Sequence, residues 1–198
     1  MVRGSLYDLL KNNSKEGLPW SIRLKIAKDI CAGLAYLHDQ HILHRDMKSH
    51  NVLLDGSLHA KLSDFGLAQV KSESTRQSSG NVAGTLPWMA PELFDRGAKS
   101  TEASDVYALG MVLWEMSSYN TPFKDAENAT QLIAWIKGGE REKIPEGTPP
   151  SYTVLISKCW AQRTLDRPKS TRVADSIREI SVDEQPSVNP SRFEYFTQ

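Results

Sequence analysis

Residues 44–51 read HRDMKSHN, which places a histidine, an acid, a lysine and an amide within eight positions. A second acid, Asp64, follows thirteen positions after Asn51, in SDFG. Such side chains can move protons, neutralise developing negative charge and ligate a hard metal ion through oxygen. Taken one at a time, each also has a plain explanation. A lone histidine such as His44 is more often packed in a core than chemically active. Asp46 suits a loop between a helix and a strand, and Lys48 suits a solvated surface. Interest therefore rests on the set, and on whether the chain holds it together.

The flanking elements are legible from periodicity. Ser5 followed by Asp8 is a capping box that opens a short helix, SLYDLL. Trp20 to Gln40 carries one apolar stripe, Leu24, Ala27, Ile30, Cys31, Leu34 and Leu37, at helical spacing. The period then changes. Residues 52–63, VLLDGSLHAKLS, hold two short apolar strands around Asp55-Gly56, a turn signal. Residues 71–84 are polar and Ser-rich and read as a mobile loop. Residues 105–118, DVYALGMVLWEMSS, are apolar nearly all round and predict a buried central helix. Asn128 to Lys137 predicts a helix ended by Gly138-Gly139. Tyr152 to Trp160 and Val173 to Ile180 predict two more, and residues 182–198 a flexible tail. Without βαβ alternation, a dinucleotide-binding sheet is excluded.

The 198 residues are enough for one domain, or one lobe and a tail. Lys+Arg and Asp+Glu each number 24, so zero net charge gives no reason to expect nucleic acid or an anionic membrane as partner. Two cysteines make neither a disulfide framework nor a zinc site, and Cys31 on its helical stripe reads as a buried, reduced thiol. The apolar run from Tyr107 to Trp114 is too short to insert in a bilayer. A cytoplasmic location is expected.

HRDMKSHN, DFG at 64–66 and APE at 90–92, in this order, resemble the catalytic loop, the magnesium-binding triplet and the end of the activation segment of eukaryotic-type protein kinases. Residues from about Gly4 to Ile180 resemble the C-terminal lobe of that fold. The expected architecture is therefore mainly α, a helical lobe over residues 1–181 with a small hairpin beside the catalytic loop. The resemblance implies ATP and Mg2+ as cofactors and a protein as substrate. Asp46 would accept the substrate hydroxyl proton, Lys48 would sit by the transferred phosphate, and Asn51 and Asp64 would ligate the metal. His44, Phe65 and Gly66 would be structural, with His44 and Phe65 packed under the site. Arg45 would pair with a phosphorylated activation loop, for which Ser72, Ser74, Thr75, Ser78 and Ser79 are the candidate acceptors. Asp105 would hold the loop backbone, Glu92 and Arg167 would form a buried ion pair, and Leu53, Val112 and Met116 would lie beneath the adenine.

By the resemblance, Lys48 and Thr85 favour serine or threonine as acceptor: tyrosine kinases commonly have proline where Thr85 stands, and a threonine there would bond Asp46 and Lys48 and narrow the room for a phenol. PWMAPE and CWAQRTLDRP have a tyrosine-kinase flavour, and the mixture resembles the tyrosine-kinase-like group. None of the twelve glycines forms G-x-G-x-x-G, and no strand carries V-A-I-K. The N-terminal lobe is thus expected to be missing here and to belong to a longer chain, and the polypeptide alone is expected to be weak or inactive. Rival readings are a non-catalytic binding or regulatory module, a dual-specificity or tyrosine kinase, and a small-molecule phosphotransferase. GTLPWMAPE, a peptide-positioning segment, speaks against the last.

Overall fold

The computed structural model describes residues 2–65 and 84–181. Its elements run β1 (Val2–Ser5), α1 (Leu6–Asn12), α2 (Trp20–Asp39), β2 (Val52–Asp55), β3 (Ala60–Leu62), α3 (Glu102–Ser118), α4 (Ala129–Gly138), α5 (Pro150–Cys159) and α6 (Ser170–Glu179). Four short 3-10 turns, at Ser49–Asn51, Leu86–Trp88, Pro91–Phe94 and Thr164–Asp166, link them.

The helices end where side-chain chemistry stops them. Ser5 Oγ accepts the Asp8 N–H, and Asp8 returns bonds to the Ser5 N–H and hydroxyl, so the expected capping box opens α1. Thr101 and Ser104 form a second box at the head of α3. Asn128 Oδ1 accepts the Gln131 N–H to start α4, and Gly139, at φ 91°, closes it in the left-handed conformation that a Cβ would strain.

One apolar core joins these elements. The predicted stripe of α2 is buried and packs against α6 and β3. α3 is buried from Ser104 to Ser117 and packs against α5. The crossing of α3 and α5 is set at Gly110, where a Cβ would meet Cys159 Cβ at 2.9 Å and the Trp160 nitrogen at 3.0 Å. Cys31 and Cys159 are buried free thiols, as their helical positions imply, and burial pushes Cys159 up to about 12.

The strands hold one difference from expectation. β2 and β3 form the predicted antiparallel hairpin, with Val52 opposite Leu62 and Leu54 opposite Ala60. β1 adds a third antiparallel strand on the open edge of β2, with a register shift between Val2 and Ser5. Four residues without alternation carry no strand signal of their own, but the unpaired edge of β2 offers them hydrogen bonds. The sheet faces the start of α1 and the 49–51 turn. No helix among the described residues is long and apolar enough to cross a membrane.

Candidate active site

The 44–51 loop leaves the end of α2 and is fastened to α3 at two places. At its start, Asp105 accepts the backbone N–H groups of His44 and Arg45, each at 2.8 Å, and lies 3.1 Å from His38 Nε2. His38 Nδ1 is in turn 2.9 Å from Ser170 Oγ on α6. A carboxylate almost wholly buried needs such donors, and here it has three. The anchor also holds strained backbone at Arg45, at φ 69°, a region that residues with a Cβ rarely adopt; Asp64, at φ 58°, shares it.

At the other end of the loop, Ser49 Oγ donates to Glu115 Oε1 at 2.7 Å, and Trp88 Nε1 donates to Glu115 Oε2 at 2.7 Å. Glu115 is only 2% exposed, and burial pushes its carboxyl up to about 8 against the hydrogen bonds from Ser49 and Trp88 that favour the charged form. The folded chain thus holds this proton more tightly than the unfolded chain does. Stability should be full below the ordinary glutamate range and fall as pH rises towards about 8. Glu115→Gln reproduces the protonated pattern, because its amide can donate to Ser49 and its carbonyl can accept from Trp88. The variant should remove most of that pH dependence and be more stable than the parent above pH 8 by a few kcal/mol, to order of magnitude. Thermal melts of both proteins from pH 5 to 9 check this; parallel curves would show an ordinary carboxylate.

Between the two anchors sits the chemical set. Lys48 Nζ is 3.0 Å from Asp46 Oδ2 and donates to Thr85 Oγ1 at 2.9 Å. Thr85 Oγ1 donates to Asp46 Oδ1 at 3.1 Å. Asn51 Nδ2 donates to the Asp46 carbonyl at 2.7 Å and to Asp46 Oδ2 at 2.9 Å. Asp46 is thus gripped from three sides yet half-buried, with room for another molecule to approach. Both hydrogens of the Asn51 amide point to Asp46, which turns its carbonyl oxygen away as a potential ligand. The Ser63 N–H donates to the Asn51 carbonyl at 2.9 Å, so the exposed Asp64 carboxylate begins one residue from Asn51's partner. These oxygens fit a magnesium ion, which takes one or two protein ligands and completes its shell with water and phosphate.

His44 is fully buried, and neither ring nitrogen has a hydrogen-bond partner among the described residues. Burial lowers its pKa, against the opposing pull of Asp105, Asp46 and Asp64, in that order. Asp105, Asp46 and Asp64 all act on this ring electrostatically. Phe65 corrects the sequence reading. Expected beneath the site beside His44, it is 45% exposed, because the left-handed turn at Asp64 carries the chain off the end of β3 and away from the apolar core. Leu53 is half-buried on β2, one residue past Asn51's neighbour Val52, while Val112 and Met116 are wholly inside the core. Gly66, Ser72, Ser74, Thr75, Ser78 and Ser79 lie outside the described residues, as does the tail from 182. Arg45 makes no ion pair among the described residues.

Below the site, Arg167 grips Glu92 with two parallel bonds of 2.7 and 2.8 Å and donates to the carbonyls of Ala161, Ala103 and Gln162. The sequence alone did not single out His38, Ser49, Trp88 or Glu115. A charged residue inside an otherwise apolar helix was the available signal for Glu115.

The sequence model described as protein tyrosine and serine/threonine kinase matches residues 1–177. The chain belongs to the protein kinase family. Its relatives include the serine/threonine-protein kinase CTR1 of Arabidopsis thaliana, 38% identical over 194 residues, covering 96% of this chain and 23% of the relative. The serine/threonine-protein kinase STY17 of Arabidopsis thaliana is 35% identical over 189 residues, with 93% and 32% covered. The tyrosine-protein kinase csk-1 of Caenorhabditis elegans is 36% identical over 182 residues, with 91% and 32% covered. The kinase chain thus spans less than a third of the length of each of these relatives. Mainly helical, with one small sheet beside the 44–51 loop, it has the architecture of the kinase C-terminal lobe.

Proposed function

We propose that residues 1–181 are the C-terminal lobe of a Mg·ATP-dependent protein kinase that phosphorylates serine and threonine hydroxyls. The carrying observation is the Asp46 carboxylate held by Lys48, Thr85 and Asn51. Bound Mg·ATP supplies the phosphoryl group and neutralises part of its charge. Asp46 orients the acceptor hydroxyl and takes its proton, a role that suits a fixed, half-buried carboxylate. Lys48 places a cation where negative charge redistributes. Asn51 and Asp64 hold the metal through oxygen, and Leu53 contributes to the adenine floor. Arg45 is the partner for a phosphorylated residue of the 72–79 serine and threonine cluster.

Thr85 supports serine and threonine over tyrosine, since its hydroxyl bridges Lys48 and Asp46 where a phenol would need space. The likeness to csk-1 supports a tyrosine reading. Parallel assays on serine, threonine and tyrosine peptides decide between them: transfer to tyrosine alone would refute the first. The 198-residue polypeptide by itself should turn over weakly or not at all. Its sequence contains neither G-x-G-x-x-G nor V-A-I-K to hold the phosphates, and orientation can be worth roughly 7–11 kcal/mol of a barrier. Robust ATP turnover by purified 1–198, abolished by Asp64→Asn, would overturn that expectation.

A further inference from the structure

α5 and α6 pack against each other, and a cavity of about 260 Å3 opens between them. Val154, Leu155 and Lys158 of α5 line it, with Glu179 at the end of α6 and Ile180 just past it. Leu155 and Ile180 are almost wholly buried and form its floor, while Val154 is 51% exposed at its mouth. Lys158 and Glu179 are exposed on opposite walls, and neither is in an ion pair among the described residues. No residue assigned to phosphoryl transfer lines this cavity. Sites for drug-sized molecules run to about 300–1,000 Å3, so this one suits a side chain or two.

The described part of the chain ends beside the cavity, and the residues that follow have a divided composition. Residues 182–191 are mostly polar, with prolines at 186 and 190, the make-up of an extended linker. Phe193, Tyr195 and Phe196 then place three aromatic rings within four positions. Each such side chain has about 150–250 Å2 to remove from water, which favours an apolar partner. Arg192 and Glu194 flank Phe193 with one charge of each sign, matching Glu179 and Lys158 across the cavity.

We propose that residues 192–198 fold back and dock on the α5–α6 cavity, with an aromatic side chain over Val154 and Leu155. The tether favours this occupant. The thirteen residues from Ser181 to Phe193 reach roughly 40 Å when extended and span about 20 Å on average when flexible, so the cavity is within range. A short tether holds the local concentration in the millimolar range, so a contact with a Kd of about 0.1 mM is about nine-tenths formed. A second copy of the chain at micromolar concentration competes poorly with that. Docking needs nothing from the phosphoryl-transfer site and stands apart from the kinase reading.

Paramagnetic NMR on the full 198-residue chain tests this. Cys31 and Cys159 are buried, so Thr197→Cys takes a nitroxide label at that position alone. Methyl signals of Leu155 and Ile180 should broaden strongly, and those of Leu53 on β2 should not. Val154→Glu puts a charge at the half-exposed mouth and should remove most of the broadening. Phe193→Ala/Tyr195→Ala/Phe196→Ala, in the same labelled chain, leaves the packed helices unchanged in sequence and should do the same. Broadening of Leu155 and Ile180 no greater than that of Leu53, or broadening that survives both variants, would overturn the proposal. Mixing nitroxide-labelled chains with isotope-labelled ones identifies the donor: broadening carried from a separate chain puts a second copy in the cavity and overturns docking of the chain's own segment. Magnesium-dependent binding of a fluorescent ATP analogue should be the same in parent and variants. Its absence from all of them, alongside broadening that the variants remove, rejects the kinase reading and supports docking.

Discussion

Asp46→Asn should lower turnover by roughly 100- to 10,000-fold while leaving peptide and nucleotide affinity nearly unchanged. The expectation follows from what the substitution keeps. An asparagine has the same shape, its carbonyl can still accept from Lys48 or Asn51, and the Thr85 hydroxyl can rotate to face an amide. What disappears is a proton acceptor and the negative charge that balances Lys48. A group needed only as the hydroxyl reacts should show its loss in kcat and in kcat/KM alike. Steady-state kinetics on the shortest form of the protein with measurable turnover check this. A variant within tenfold of the parent would show that Asp46 does not handle the proton.

Arg167→Ala should cost roughly 3–5 kcal/mol of folding stability. The Arg167 side chain is completely buried and Glu92 is 26% exposed, so solvent screens the pair poorly. Truncation leaves the Glu92 carboxylate without its two-pronged partner and removes the donor to three backbone carbonyls. Domains are typically stable by about 5–15 kcal/mol, so the loss is a large share of the total. For a chain of this size it corresponds to a fall of roughly 10 °C or more in Tm. Arg167→Lys should recover only part, because an ammonium cannot make the parallel pair. Urea denaturation of the three proteins measures the cost, and a loss below about 1 kcal/mol would mean the pair behaves like a surface contact.

The helices were readable because their apolar stripes repeat at a period the backbone imposes, and because the cap at Ser5 and the glycines after Lys137 carry their own chemistry. The hairpin was readable from a change of period around Asp55-Gly56. β1 was not, since a four-residue strand is defined by the edge it joins and not by its own pattern. At the site, the types and offsets of Asp46, Lys48, Asn51 and Asp64 were visible in the sequence, and so was the reach of Thr85. Their supports were less so. Glu115 serves Ser49 and Trp88, which are 66 and 27 positions away in the chain. A long-range contact of that kind leaves no local trace. Phe65 shows the opposite failure: an apolar residue next to a core reads as buried, but the backbone turn at Asp64 decides otherwise.

α3 acts as a gauge for the loop above it. Asp105 near its head and Glu115 near its tail grip opposite ends of residues 44–49, and Gly110 midway locks the rod against α5. Ten helical steps set the separation at about 15 Å, and one extra residue between the grips would swing the far one round by about 100°. The composition of that stretch can vary wherever volume permits, but its length cannot, because the count of residues in a buried rod dictates how wide the reacting groups are held.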